Sequence, residues 1–282
     1  MTIKNLKQET GRFIVGGIRV FSPMLANKIL FFRLFKRPAD LKNPQTYSEK
    51  IMVRMNSSAY EKLSEYADKW KVREYVAGTI GEEYLIPLLD VYDSPKDVRY
   101  ERIPENAYIK LNHGSGYNII YQKKNELRIR RKIRKWFRED YAKKTLERQY
   151  TYIPRKILVE ENLVPDGQVL WEFSFFTFHG DVEFVQVRDN FAHRFEVGKN
   201  YEKLPFQMFS TVSEIAPKVA EYDRMVQLAQ KLAEPFDFVR VDFFLAGHRI
   251  YFGELTFSPG GGIRIFKPYE YNLTFGEKLE IL

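Results

Sequence analysis

Phe238-Val-Arg-Val-Asp-Phe-Phe-Leu-Ala-Gly-His-Arg-Ile-Tyr-Phe-Gly-Glu-Leu-Thr-Phe-Ser-Pro-Gly-Gly-Gly262 reads as a β-hairpin that runs into a glycine loop. Alternation places Phe238, Arg240, Asp242 and Phe244 on one face of the first strand, and Phe252, Glu254 and Thr256 on one face of the second. The turn decides whether the two acids meet. A three-residue loop, Gly247-His248-Arg249, makes Asp242 and Glu254 cross-strand neighbours, whereas a two-residue loop puts them on opposite faces. The expectation is the three-residue loop.

Two carboxylates directly opposite each other on a sheet repel, so the pairing needs a reason. Hard Mg²⁺ is one: it takes oxygen ligands, usually one or two carboxylates completed by water and substrate phosphates, and Thr256 stands close by. The other reading is an Arg240–Asp242–Glu254 cluster that neutralises itself on a half-buried sheet. From the residues alone the two stand side by side.

The rest of the chain narrows the chemistry. At 282 residues, 44% hydrophobic and 16% aromatic, it can bury a large core. It has no cysteine and 4 histidines, which excludes disulfides, thiolate catalysis and cysteine metal sites and leaves little for zinc. A net charge of +8 points to anionic partners. The densest basic run, Arg128-Ile-Arg-Arg-Lys-Ile-Arg-Lys-Trp-Phe-Arg138, has Ile129, Ile133, Trp136 and Phe137 at helical spacing, so it reads as a helix with a solvated basic face or a docking patch for an anionic polymer. No helix-turn-helix, zinc or aromatic RNA-binding signature accompanies it, and nucleic acid is not an expected partner.

The N-terminal runs Phe13-Ile-Val-Gly-Gly-Ile-Arg-Val-Phe21 and Ile29-Leu-Phe-Phe-Arg-Leu-Phe-Lys-Arg37 are apolar and basic, but Arg19, Pro23 and Lys28 keep them below the roughly 18 apolar residues of a spanning helix. No small-residue cleavage site follows a signal-like core. The expectation is a cytoplasmic protein whose N-terminal helices pack on the body or hold it peripherally at the inner membrane surface.

Four segments follow. Residues 1–45 form a helical N-terminal extension with turns at Ser22-Pro23 and from Pro38 to Pro44. Residues 46–105 open with the helix start Thr46-Tyr-Ser-Glu49 and stay helical to about Gly78 or Gly81. Residues 106–163 hold a strand from Ala107 to Leu111, the loop Asn112-His-Gly-Ser-Gly-Tyr-Asn118, a partner strand Ile119–Gln122, the basic helix and a strand Lys156–Leu163. Residues 164–282 hold strands Val169–Phe178 and Val182–Val187 around His179-Gly180-Asp181, a polar segment to about Pro217, a helix Val219–Ala233 and the opening hairpin. Strands with interspersed helices argue α+β with mostly antiparallel sheet.

Three further motifs carry chemistry. Tyr108-Ile-Lys-Leu-Asn-His-Gly-Ser-Gly-Tyr117 sets Lys110 on a strand before a two-glycine loop whose amides can cradle phosphate; the same residues suit an ordinary hairpin turn. Lys69 and Arg73 share a helix face beside Asp68. Ile157-Leu-Val-Glu-Glu-Asn-Leu163 is either an ordinary strand end or an edge backbone for an adenine rim, with a carboxylate for ribose hydroxyls.

In this order the motifs resemble an ATP-grasp enzyme, and more closely the TupA-like branch associated with bacterial surface-polysaccharide synthesis. The resemblance runs from Thr46-Tyr-Ser-Glu-Lys-Ile51 through Ala67-Asp-Lys-Trp-Lys-Val-Arg-Glu-Tyr-Val76, Ile109-Lys-Leu-Asn-His-Gly-Ser-Gly116, Leu158-Val-Glu-Glu161 and Val239-Arg-Val-Asp242 to Phe252-Gly-Glu-Leu-Thr-Phe-Ser-Pro-Gly-Gly-Gly262. It implies an ATP-grasp fold with the nucleotide between two α+β subdomains. It also implies ATP and Mg²⁺ as cofactors.

The residue roles implied are these. Lys69 and Lys110 bind ATP phosphates, with His113, Gly114, Ser115 and Gly116 in the loop over them and Glu160 and Glu161 beside the adenosine. Asp242 and Glu254, with Thr256, hold metal. Arg240 and Lys110 act on the reacting phosphoryl group, and Arg73, Arg188, Arg194, Ser258, Gly260 and Gly261 are candidate substrate contacts.

Two departures stand out. Thr256 replaces the family's usual Asn, and Ser174, in Glu172-Phe-Ser-Phe-Phe-Thr-Phe-His-Gly180, stands where the branch usually has a lysine. The implied activity is an ATP-dependent carboxylate–amine ligase acting on a uronic acid of a capsule or cell-wall polysaccharide, an anionic sugar partner that suits a basic surface. A phosphotransferase acting on sugar or polysaccharide, a glycosyltransferase, and a non-catalytic nucleotide-binding partner in a polysaccharide-synthesis complex remain as alternatives.

Overall fold

The computed structural model describes residues 21–164, 169–191, 193–208 and 215–281; the expected N-terminal run Phe13–Phe21 lies outside them except for Phe21. Ser22 caps helix α1 (Pro23–Phe35), its hydroxyl accepting from the Leu25 amide. Thr46 and Glu49 form the expected capping box at α2 (Tyr47–Met55), the Thr46 hydroxyl taking the Glu49 amide and the Glu49 carboxylate taking the Thr46 amide. The helix does not continue unbroken to Gly78. Ser57 caps a 3₁₀ turn, Ser58–Leu63, and the Asp68 carboxylate draws the Trp70 amide out of helical pairing, so α3 (Ser64–Ala67) and α4 (Val72–Thr79) are separate.

The first sheet contains β1 (Leu88–Tyr92), β2 (Tyr108–Leu111), β3 (Asn118–Ile120) and β4 (Ile157–Glu160), in the order β1-β4-β2-β3 and antiparallel throughout. Between β3 and β4 run α5 (Glu126–Arg138) and α6 (Tyr141–Thr145). Ile129, Ile133 and Trp136 of α5 pack on Ile109, Leu111, Ile157 and Val159, which leaves Tyr108, Lys110 and Glu160 on the opposite face.

The second sheet, ordered β7-β6-β5-β8-β9, is also antiparallel. Its strands are β5 (Leu170–Phe178), β6 (Asp181–Asp189), β7 (Arg194–Gly198), β8 (Phe238–Ala246) and β9 (Arg249–Thr256), with α7 (Tyr222–Ala233) before β8 and α8 (Glu270–Glu277) after β9. Phe173, Phe175, Val185, Val187, Val239, Val241 and Phe243 point to one face and bury against α7 and α4. The other face is divided. At one end Phe176, Phe178, Phe184 and Phe238 pack with α2 and α8 in a second core, and at the other end the same alternation brings up Glu172, Ser174, Arg188, Arg240 and Asp242.

The turn between β8 and β9 corrects the sequence expectation. Ala246 pairs with Arg249, so the loop is the two residues Gly247-His248, with Gly247 at φ +59° in its first central position. Asp242 nevertheless pairs with Glu254, because the register shifts between Asp242 and Phe243 and Gly253 is left unopposed. This bulge turns the strand over. Phe252, expected on the face of Glu254, packs in the opposite core with its ring centroid 6.4 Å from that of Phe243.

Candidate active site

The charged end of the large sheet faces Tyr108, Lys110 and Glu160 of the small sheet across a cleft of about 440 Å³. Each wall is built by alternation. Tyr108 pairs with Glu160 and Lys110 with Leu158, so Lys110 and Glu160 are diagonal neighbours with Nζ 2.5 Å from Oε2. Arg73 approaches the other Glu160 oxygen at 3.9 Å and donates to the Ile86 carbonyl at 3.0 Å. Burial holds the Arg73 guanidinium below its ordinary pKa, with Glu160 opposing.

Arg240 organises the opposite wall. Its Nε and Nη2 donate to the two Asp242 oxygens at 2.7 and 2.5 Å, and Nη2 also reaches Glu254 at 3.2 Å and the Thr256 hydroxyl at 3.1 Å. Thr256 in turn donates to Glu254 at 2.7 Å. The two carboxylates respond differently. Burial, then the charges of Glu254 and Glu172, push Asp242 up to about 7 against the pull of Arg240. Glu254 is held below its ordinary value although burial works the other way, because Lys69 and Arg240 face it.

Lys69 spans the cleft. Its ammonium donates to the Gly114 carbonyl at 2.9 Å and lies 3.6 Å from Glu254. Its position follows from a buried polar lock: Asn112 Nδ2 donates to Asp68 Oδ1 and to the Pro154 carbonyl, both at 2.8 Å, while Asn112 Oδ1 accepts from the Lys156 amide at 2.7 Å. Asp68 and Asn112 thus tie the start of α4 to the base of the glycine loop.

The structure brings Lys69, Arg73, Lys110, Ser115, Gly116, Glu160, Glu161, Arg188, Arg240, Asp242 and Glu254 to one cleft. Other candidates stand elsewhere. His113, expected over the phosphates, is buried behind the loop, with Nε2 3.3 Å from the Trp136 carbonyl and its ring against Tyr117 and Phe137. Burial and the nearby Arg155 hold the His113 imidazole down at about 4.

Ser258, a candidate substrate contact, is also buried, accepting from Gln149 at 2.6 Å and donating to Glu147 at 2.5 Å. Gly260 packs its Cα against the Arg264 guanidinium, and Gly261 is the next residue in a loop where both have positive φ. Arg194 pairs with Arg188 across β6 and β7, beyond the cleft lining. β4 is not an edge: β1 and β2 flank it, and the Glu161 amide donates to the Pro87 carbonyl at 3.1 Å, so these backbone groups are engaged within the sheet.

Sequence reasoning missed Glu172, whose carboxylate takes Arg188 Nη2 at 2.5 Å, and the Asp68–Asn112 lock. The alternation Glu172, Ser174, Phe176 carried the first signal. The second joins residues too far apart in the chain for any local pattern to show it.

The donor set fits a hard divalent cation. Among the described residues no three His, Cys, Asp or Glu side chains form a metal cage of their own; Asp242 and Glu254 offer two carboxylates on adjacent strands, and the remaining ligands would be phosphate oxygens and water.

A model of the TupA-like ATP-grasp family matches residues 49–280. No curated protein matches the sequence significantly. Among solved structures, D-alanine–D-alanine ligase from Helicobacter pylori aligns at 16% identity over 76% of this chain and 61% of its own, with a TM-score of 0.43. An L-amino acid ligase from Bacillus licheniformis aligns at 13% identity over 70% and 44%, TM-score 0.44. D-alanine–D-alanine ligase from Bacillus anthracis aligns at 10% over 79% and 74%, TM-score 0.46. This chain spans less than two thirds of the first two structures, and similarities this low decide nothing about its chemistry.

Proposed function

Because this chain belongs to the TupA-like ATP-grasp family, we propose that it is an ATP-dependent carboxylate–amine ligase. The carboxylate oxygen of one substrate attacks the γ-phosphorus of ATP, forming an acyl phosphate and releasing ADP. An amine then attacks the acyl carbon, the C–O bond to phosphate breaks, and the amide and inorganic phosphate leave with the amine proton lost to solvent. The observation that carries this reading is the meeting of Lys69, Lys110 and the Ser115–Gly116 loop with Arg240, Asp242 and Glu254 in one cleft.

In this proposal Lys69, Lys110 and the loop amides bind the ATP phosphates, Glu160 and Glu161 lie toward the nucleoside, and Arg240 faces the transferring phosphoryl group. Asp242 and Glu254, with Thr256 beside them, would hold Mg²⁺, whose charge offsets that of the phosphates. The protein's share is positioning and fixed charge, which suits a reaction that needs no obligatory side-chain acid or base in its first step. The acceptor class we propose is a uronic acid of a bacterial surface polysaccharide, joined to an amino acid on the cytoplasmic side of the membrane. A basic surface supports an anionic substrate.

Incubation with ATP, Mg²⁺, uronic acid oligosaccharides and an amino acid mixture tests the proposal. ADP release that requires both acceptors, together with a product mass equal to the sum of the two minus water, supports a ligase; ADP release with a phosphorylated sugar points to phosphotransfer instead. Glu254→Ala is expected to abolish turnover. A second reading, nucleotide binding without turnover, draws on Thr256, whose hydroxyl is already engaged with Arg240 and Glu254. Thermal stabilisation by ATP and Mg²⁺ with no ADP released under any acceptor mixture favours it.

A further inference from the structure

Helix α1 turns an apolar face outward. Leu25, Ile29 and Phe32 follow the i, i+4, i+7 spacing of one helical stripe, and Phe21 stands just before the extended Ser22 cap. Phe21, Leu25 and Phe32 are 91%, 50% and 54% exposed. A surface helix normally keeps its polar side to solvent. Here the inward side is apolar as well: Ala26 and Phe31 are buried, Phe31 stacks on Phe35 at 4.2 Å, and Phe35 meets Tyr269 edge-on at 6.2 Å. Arg37 fixes the end of the segment by donating to the Tyr269 hydroxyl at 2.8 Å and to Glu49 at 2.6 Å. The helix is therefore held to the body by one side while the Leu25–Phe32 stripe points away.

Exposed cations border that stripe. Lys28, Arg33 and Lys36 are all solvent-facing, and no aspartate or glutamate occurs between Phe21 and Ala39. At 13 residues α1 is too short to span a bilayer, and among the described residues no helix is long and apolar enough to cross a membrane. A short helix with an outward Phe/Leu face, basic flanks and no acids has the chemistry of an interfacial anchor. The basic helix α5 is different: Ile129, Ile133 and Trp136 are buried in the small-sheet core, so it offers charge without an apolar face.

We propose that α1 docks this protein on an anionic phospholipid surface, with Phe21, Leu25, Ile29 and Phe32 entering the headgroup boundary and Lys28, Arg33 and Lys36 facing the lipid phosphates. A second copy of the chain fits the face less well. A two-fold contact through the stripe would bring Lys28 and Arg33 of each copy toward the other's, with no acid to compensate.

Flotation of the full chain with phosphatidylglycerol-containing vesicles and with pure phosphatidylcholine vesicles tests the proposal. The expected result is partition to the anionic vesicles at least tenfold above the neutral ones, weakened by salt. Leu25→Ser/Phe32→Ser is expected to cut partition at least tenfold, as is Lys28→Glu/Arg33→Glu. Both pairs are on the solvent side, so an unchanged thermal transition verifies the fold, and ATP binding is expected to be unaltered, separating this proposal from that for the cleft. Failure of the wild-type chain to float, or equal partition of the variants, overturns it. A concentration-dependent dimer that Phe32→Ser abolishes, without vesicle binding, assigns the face to a second copy and overturns it too.

Discussion

Asp242 and Glu254 oppose each other across β8 and β9 because Gly253 drops out of the ladder between them. A two-residue turn alone would have sent the two acids to opposite faces; the bulge restores the meeting one residue short of the site.

A side chain at Gly253 should therefore crowd the bulge. A Cβ there would lie 3.0 Å from the Asp242 carbonyl oxygen and 3.2 Å from the Phe244 ring. Gly253→Val is expected to cost about 1–3 kcal/mol in urea unfolding, and to abolish Mg²⁺-dependent nucleotide binding by calorimetry. Full retention of that binding would show that the carboxylate pairing does not matter.

Arg240 keeps the buried Asp242 and the half-buried Glu254 compatible. Arg240→Met leaves Asp242 beside Glu254 with its bidentate partner gone, which is expected to cost about 3–5 kcal/mol in metal-free buffer. Millimolar Mg²⁺ with ADP should recover part of the loss in a thermal melt. If Mg²⁺ recovers nothing, a cation at this pair becomes untenable.

Lys110 and Glu160 can be separated by experiment. Lys110→Ala removes a charged donor proposed to meet phosphate, and about 1.5–3 kcal/mol of lost interaction corresponds to a roughly 10–100-fold higher ATP dissociation constant. Glu160→Gln keeps the shape and leaves Lys110 in place, so its effect should be smaller and should fall on adenosine as well as on ATP. Titration with adenosine, ADP and ATP distinguishes the two.

Acid should unfold the protein partly through Glu49. Burial raises its pKa, but Arg37, the Asp40 and Thr46 amides and the Thr46 hydroxyl outweigh that and hold it at about 2, below the ordinary 4.5. The folded state favours the ionised form, so this stability is fully present above pH 4.5 and is lost as pH falls toward 2. The difference corresponds to roughly 3 kcal/mol. Urea midpoints of wild type and Glu49→Gln at pH 6 and pH 3 test it: the variant should start lower and lose less between the two.

What could be read from the chain followed the range of each signal. The capping box at Thr46 and Glu49, the amphipathic helix behind Ile129, Ile133 and Trp136, and the hairpin at His179-Gly180 are local, and each stands close to its expected place. β1 and β7 escaped notice because each borders residues that read as loop, Asp93-Ser-Pro-Lys96 after β1 and Gly198-Lys-Asn200 after β7.

At the cleft, alternation on β8 correctly grouped Arg240 with Asp242. Alternation on β9 failed for Phe252 because a bulge has no signature beyond a glycine, and the resemblance set His113 over the phosphates because a histidine in a glycine loop looks the same whether it faces ligand or core. Loop base and helix start meet through Asp68 and Asn112, a pairing that exists only once the chain has folded.

Lys69 touches both halves of the cleft at once, its ammonium on the Gly114 carbonyl of the loop and near Glu254 of the large sheet. It is a latch with two catches. An anion entering between them competes for the same charge, so the hold on the loop must loosen as the site fills. The grip on the loop is therefore graded by whatever else claims the same ammonium.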